Sequence, residues 1–203
     1  MSQPLDAVRD HLREHFAGVG IDAEPDAASV TFLGVERIEV LRFGPDRDGI
    51  AHYVSLGCSR HPMTDPAAGA ADPVRGPRAE VMMSLRVTTP TPGLARSLAV
   101  VAATPAVEGV VLVPDALIDL SGPQGNSALW DSAPFTAVLL GESTVADLTL
   151  PQPWDPVVFL SAVPITATEA AWVRLKGGAA MRQAWSDDGV DVEDPRRRAS
   201  SPS

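Results

Sequence analysis

The chain has a single cysteine, Cys58, so no intramolecular disulfide can form and a secreted, disulfide-stapled scaffold is excluded. It has no apolar run of membrane-spanning length, and its first residues, MSQPLDAVRDHLREHF, lack the apolar core of a signal peptide. Cytoplasm is the expected location and no membrane partner is expected. Aromatics make up only 5% of the residues, so the core has to be built from Val, Leu and Ala. Basic residues are outnumbered, 16 against 26 acidic, and the formal net charge of −10 argues against a phosphate backbone as partner. Such a balance suits a cationic protein, or serves solubility alone. Walker, G-x-G-x-x-G, G-x-S-x-G and H-E-x-x-H motifs are all missing, which removes the usual reasons to propose an enzyme or a cofactor.

What remains is ordinary globular material: 203 residues, 45% hydrophobic and 21% charged, enough for one domain with a real core. Leu5, Val8, Leu12 and Phe16 fall at helical spacing, with Asp6, Arg9, Asp10, Arg13 and Glu14 opposite, so the chain opens on an amphipathic helix closed by Gly18 and Gly20. His11 and His15 are four residues apart on it, a spacing that suits a metal, but no carboxylate or third His accompanies them and two solvated histidines explain them better. Residues 28–43 read as two strands or one bent strand whose apolar parity slips between Val40 and Leu41, through a bulge or through burial of both faces. Gly44-Pro45-Asp46-Arg47-Asp48-Gly49 is a turn, and the hairpin returns through Leu56.

Residues 51–87 organise the rest. A strand runs into the turn Gly57-Cys58-Ser59, a small-residue loop follows to residue 77, and a second strand alternates Val81, Met83, Leu85 and Val87 against Met82, Ser84, Arg86 and Thr88, the pattern of a half-buried strand. A loop of that length is commonly functional or disordered. It carries Cys58, Arg60, His61 and Asp65, so a thiol nucleophile with a histidine base is one reading, and half of a zinc site is another. Neither has an orienting partner or a complete ligand set in the sequence, and a small buried Cys in a tight turn accounts for Cys58 without them.

Further on, Thr91 and Pro92 start a helix with a Leu94, Leu98, Val101 stripe that should lie on the sheet and end at Pro105. Trp130, among polar neighbours, is either an exposed anchor for a partner or a cap on the core edge. Phe135–Leu140 and Val145–Leu150 suggest a hairpin, and the nearly unbroken apolar run 157–163 suggests a central strand buried on both faces. Thr166-Ala167-Thr168-Glu169 is a capping box that opens a helix through Lys176, and a short helix follows Gly177-Gly178. Residues 191–203, with the run Arg196-Arg197-Arg198-Ala199-Ser200 and the ending Ser201-Pro202-Ser203, read as a disordered tail, which leaves residues 1–190 as the domain.

The run Tyr53-Val54-Ser55-Leu56-Gly57-Cys58-Ser59, then Pro62-Met63, then Arg78-Ala79-Glu80-Val81, resembles the Suppressor of fused domain family. The likeness returns in Gly125-Asn126-Ser127-Ala128-Leu129-Trp130, in Val157–Leu160 with Val163–Thr166 and Glu169, and in the Gly177-Gly178 turn. The resemblance implies a single α+β domain, a mixed, largely antiparallel sheet with helices packed on it, equivalent to the amino-terminal domain of the animal proteins. It also implies a non-catalytic protein-binding role. Animal members sequester zinc-finger transcription factors, and stand-alone bacterial domains are often found as immunity proteins against toxin domains, so the resemblance implies a protein partner, with a cationic toxin domain as the expected case. The expected interface is the 57–77 loop with the edge near Trp130, hence Arg60, His61, Asp65 and Trp130. The alternative is a small thiol enzyme using the Cys58 to Asp65 loop, or an accessory domain.

Overall fold

The computed structural model describes residues 4–31, 37–64, 72–122 and 128–200. Seven strands form one sheet: β1 (Asp26–Val30), β2 (Ile38–Phe43), β3 (Ala51–Leu56), β4 (Arg78–Leu85), β5 (Leu117–Asp119), β6 (Phe135–Glu142) and β7 (Val157–Thr166). Their order is β1-β2-β3-β4-β7-β6-β5, and every neighbouring pair is antiparallel except β4 with β7. Among the described residues four helices complete the α+β fold: α1 (Pro4–Gly18), α2 (Leu94–Glu108), α3 (Ala167–Lys176) and α4 (Gly178–Asp187).

Side-chain parity assigns the layers. Val81, Met83 and Leu85 of β4, with Leu160 and Ala162 of β7, meet Leu94, Leu98 and Val101 of α2. Met82, Val157 and Phe159 point to the other face, where Val8, Leu12 and Phe16 of α1 cover them. Ala137, Leu139 and Ile165, beyond them on that second face, pack under Met181 and Trp185 of α4 and Val173 of α3. The alternation read for β4 is therefore correct in parity. Its first six residues are nonetheless all buried, because the side expected to be wet is hidden, Met82 under α1 and Arg78 and Glu80 under the turn at residues 57–60. The parity slip in β2 has the same cause: its pairing with β1 and β3 is continuous, and both of its faces are covered.

Two boundaries differ from the sequence reading. Helix α2 starts after Gly93, not at Thr91, and runs through Pro105. Proline breaks helices because it leaves the carbonyl one turn back without a donor. Here the Thr104 hydroxyl reaches Val101 O at 2.7 Å and Val100 O at 3.2 Å, and the helix continues to a Gly109 cap. The hairpin expected after β6 is also absent. The ten-residue apolar β7 takes the place beside β6, and Leu148 makes only an isolated bridge to Val157 while Val145 and Leu150 fill the core under α1.

Helix α1 docks through a histidine-rich seam. His52 of β3 lies 5.1 Å from Phe16, with Ser84 Oγ 2.8 Å from its Nδ1 and Asp46 Oδ2 3.4 Å from its Nε2. His11 Nε2 donates to Ala146 O, 2.7 Å away, because a carbonyl can only accept, and the ring stacks on Phe159. Burial lowers the pKa of His52 against the pull of Asp46, and burial with the charges of His11 and His52 lowers that of His15. A base whose folded pKa is depressed binds more protons when unfolded, so stability rises with pH across that window. The contribution is complete above about pH 6.5, the value of the unfolded side chain, and is lost as pH falls below it through the lowered folded values. Urea midpoints measured between pH 7.5 and 5 should therefore fall on acidification, and His52→Gln should flatten the slope; an unchanged slope in that variant would remove His52 from the account.

Candidate functional site

The Gly57-Cys58-Ser59 turn is built around a buried carboxylate on the neighbouring strand. Glu80 is fully buried in β4. It accepts from the Gly57 amide at 2.9 Å, from the Ser59 amide at 3.0 Å and hydroxyl at 2.6 Å, and from the Ser55 hydroxyl. Gly57 has φ 144, and a Cβ there would lie 3.2 Å from Arg37 O, so the turn admits glycine alone. Burial raises the Glu80 pKa and outweighs the four donors, which act to lower it.

Two residues away, Arg78 is 2% exposed and spends its guanidinium on backbone carbonyls: Ser59 O at 2.7 Å, Arg60 O at 2.9 Å and Val74 O at 2.8 Å. Asp155, on the approach to β7, accepts from the Gly76 amide at 2.6 Å. Glu80 thus holds the first end of the loop, Asp155 the second, and Arg78 ties the two together. Both charges stand inside an apolar strand, and that was the only signal in the sequence that could have found them.

This framework supports a cleft of about 470 Å³ between the turn and the end of α2, lined by Ile38, Cys58, Arg60, His61, Met63 and Ala102, among others. Arg60 and His61 therefore share one surface, with His61 exposed and an Arg60 guanidinium nitrogen 3.3 Å from Arg37 O. Asp65 lies outside the described residues. Cys58 is partly covered, and burial, with the Glu80 charge adding to it, pushes its thiol pKa well above the ordinary value. A nucleophilic cysteine needs the opposite shift, so the geometry favours a packing role for this thiol.

Trp130 is 7% exposed, with its ring 5.4 Å from Phe135, and so caps the core rather than presenting an open anchor. It instead forms part of a trough between α2 and the sheet edge. One section, about 580 Å³, is lined by Arg96, Ser97, Val100, Leu120 and Trp130. A second, about 600 Å³, shares Val100 and Leu120 and continues past Ala103, Val107, Glu108 and Ile118. Strand β5 ends the sheet on this side, and Val107 and Val113 are 62% and 48% exposed.

A third polar centre was legible in the sequence only as the capping box of Thr166 and Glu169. Residues 191–200, read as a disordered tail, lie against the domain, and Arg197 is 6% exposed. Its guanidinium meets Glu169 Oε1 at 2.7 Å and Oε2 at 3.1 Å, donates to Pro164 O at 2.7 Å, and sits 5.1 Å and 5.3 Å from the ring centroids of Phe135 and Trp185. Residues 201–203 lie outside the described set. Among the described residues no group of three or more His, Cys, Asp or Glu could hold a metal ion, and no helix is long and apolar enough to cross a membrane.

No curated protein sequence matches this chain. Among solved structures, a Suppressor of fused homologue from Neisseria gonorrhoeae superimposes with a TM-score of 0.65 at 17% identity, covering 98% of this chain and 97% of its own. The structure of the Sufu–Fu complex matches with a TM-score of 0.65 at 15% identity, over 97% of this chain and 91% of that one. Drosophila Suppressor of Fused matches with a TM-score of 0.66 at 16% identity over 98% of this chain; this chain spans about half, 51%, of that protein. These identities establish a shared fold. The profile of the family described as Suppressor of fused protein (SUFU) matches residues 34–198, a span that takes in the Glu80 clamp, Trp130 and the Glu169–Arg197 pair, and the chain belongs to the Suppressor of fused family.

Proposed function

We propose that the chain is a non-catalytic protein-binding domain that takes a cationic segment of another protein into the trough between α2 and β5. The observation that carries this reading is the trough itself: apolar along Val100, Val107, Ile118 and Leu120, open at the last strand of the sheet, with Glu108 and Asp119 in its lining. An exposed strand edge beside an apolar groove suits an extended peptide. The net charge of −10 favours a basic partner and would speed its capture. The solved complex of Sufu with Fu shows a family member engaging a protein. A partner that is cationic because it attacks nucleic acid fits this chemistry, so we place the domain as an immunity protein against such a toxin. The Arg60 and His61 rim of the other cleft is a second surface on which the partner can rest.

The test is capture by tagged protein of a genomically adjacent toxin domain, together with rescue of growth when the two are co-expressed. Val107→Arg places a charge on an exposed helical position, so stability should change by only about 0.5 kcal/mol, while capture and rescue should fall at least about tenfold through like-charge repulsion. Raised salt should weaken capture of the unaltered protein. Capture that ignores both Val107→Arg and salt would reject the trough.

A further inference from the structure

After α4 the chain turns at Gly189, φ 61, and residues 191–200 cross the domain without forming a strand or helix. The strap is held at a few points: Arg86 N donates to Glu193 O at 2.8 Å, Arg197 fills the slot of Glu169, Phe135 and Trp185, and Ser200 closes the end. Ser200 is 4% exposed, its amide donating to Glu169 Oε1 at 3.1 Å and its hydroxyl to Asp188 Oδ2 at 2.5 Å. Arg196 and Arg198 are exposed on either side of the buried Arg197.

We propose that Ser200 is a phosphorylation site for a serine/threonine kinase that selects basic residues ahead of its target, and that phosphate at Ser200 releases the 191–200 strap. The run Arg196-Arg197-Arg198-Ala199-Ser200 puts positive charges two, three and four residues before a hydroxyl, a pattern suited to an acidic substrate groove. In the docked strap both Arg197 and the Ser200 hydroxyl are hidden, so the kinase acts on the locally opened form. The γ-phosphoryl group of ATP is transferred to Oγ: the bond to ADP breaks, the Oγ–P bond forms, and the hydroxyl proton passes to the kinase base. The product carries about −1.5 to −2 charge at neutral pH. Redocking would hold that charge against two carboxylates, Asp188 at the hydroxyl and Glu169 at the amide. The strap therefore stays out, and Arg197 leaves its slot with it.

The experiment incubates the full chain and a synthetic peptide of residues 190–203 with Mg-ATP and the catalytic subunit of cAMP-dependent protein kinase. Sites are mapped by tandem mass spectrometry, and the strap is followed by amide hydrogen exchange. The expected result is phosphate on Ser200 in both substrates, faster in the peptide, with exchange of residues 190–200 in the phosphorylated chain raised about tenfold or more. Ser200→Ala should lose that phosphate and, having lost the same contact to Asp188, should exchange only several-fold faster than the unaltered chain, with no further rise after incubation with the kinase; Asp188→Ala, which loosens the closing contact, should be phosphorylated several-fold faster. The proposal is overturned by phosphate confined to Ser201 or Ser203, by phosphate on Ser200 with unaltered exchange, by a peptide that accepts phosphate while the chain never does, or by failure of both substrates.

Discussion

Arg197→Ala should destabilise the domain by about 3–5 kcal/mol, the range for removing one partner of a buried ion pair. The truncation leaves Glu169, which is fully buried, with the Thr166 amide and hydroxyl, the Trp185 indole and the Ser200 amide as its donors among the described residues. It also empties a slot between two rings, and a cation between aromatic faces contributes on the order of 0.5–2 kcal/mol when desolvated. Urea unfolding at neutral pH reads the effect. Arg197→Lys keeps the charge but cannot reproduce the two-pronged contact with Glu169, so it should fall between the variants. A loss below about 0.5 kcal/mol, the level of an ordinary surface change, would mean that residues 191–200 behave as the solvated tail the sequence suggests. The acid limb offers a second reading. Burial raises the Glu169 pKa, but the Arg197 hydrogen bonds, with the Thr166 amide, the Trp185 indole and the Arg197 charge, bring it below its ordinary 4.5. Stability from this group is thus present above about pH 4.5 and is lost as pH falls through the folded value. In Arg197→Ala the lowering by the Arg197 hydrogen bonds and charge is lost, so this acid-limb dependence should weaken.

Glu80→Ala should cost a similar amount by a different route. Its four donors, the Gly57 and Ser59 amides and the Ser55 and Ser59 hydroxyls, would lose that acceptor, and each unsatisfied buried group costs about 1–3 kcal/mol. Such losses are not additive within one network, so about 3–5 kcal/mol is expected in total. The change should also loosen the rim of the adjoining cleft, measured as faster amide exchange at residues 57–61. Glu80→Gln keeps one carbonyl acceptor and should lose less, although its amide group meets donors where the carboxylate met them. A small shift in Glu80→Ala with unaltered exchange at the turn would show that the turn holds its shape without the carboxylate. Burial makes the pH sign here opposite to that of Glu169: the folded pKa is raised, so this group's contribution declines as pH rises from about 4.5 through the folded value.

The two buried carboxylates separate what could be read from the chain from what could not. Thr166 and Glu169 are three residues apart, and their capping box was legible because both partners lie within one helical turn. The Arg197 that completes the site is 28 residues away from Glu169, in a segment whose Arg, Ser and Pro content is that of a solvated tail. Glu80 shows the same division. The Gly57-Cys58-Ser59 turn was evident, but its clamp comes from a strand 21 to 23 residues later. Trp130 is a related case: polar neighbours in sequence left its exposure open, and packing on Phe135 decided it.

Sequence by itself determined the single α+β domain, the apolar stripe of α1, the face parity of β4, the helix start at Thr166 and the family. Those features depend on period and on near neighbours, which are written along the chain. Only the tertiary structure decided that α1 and the turn at residues 57–60 bury the second face of β4, that β7 stands between β4 and β6, that Pro105 lies within a helix mended by Thr104, and that Arg197 is an interior residue. The physical reason is common to all four. Whether a charge, a proline or a strand face meets water depends on what distant segments place against it, and a side chain's chemistry states only what it needs there.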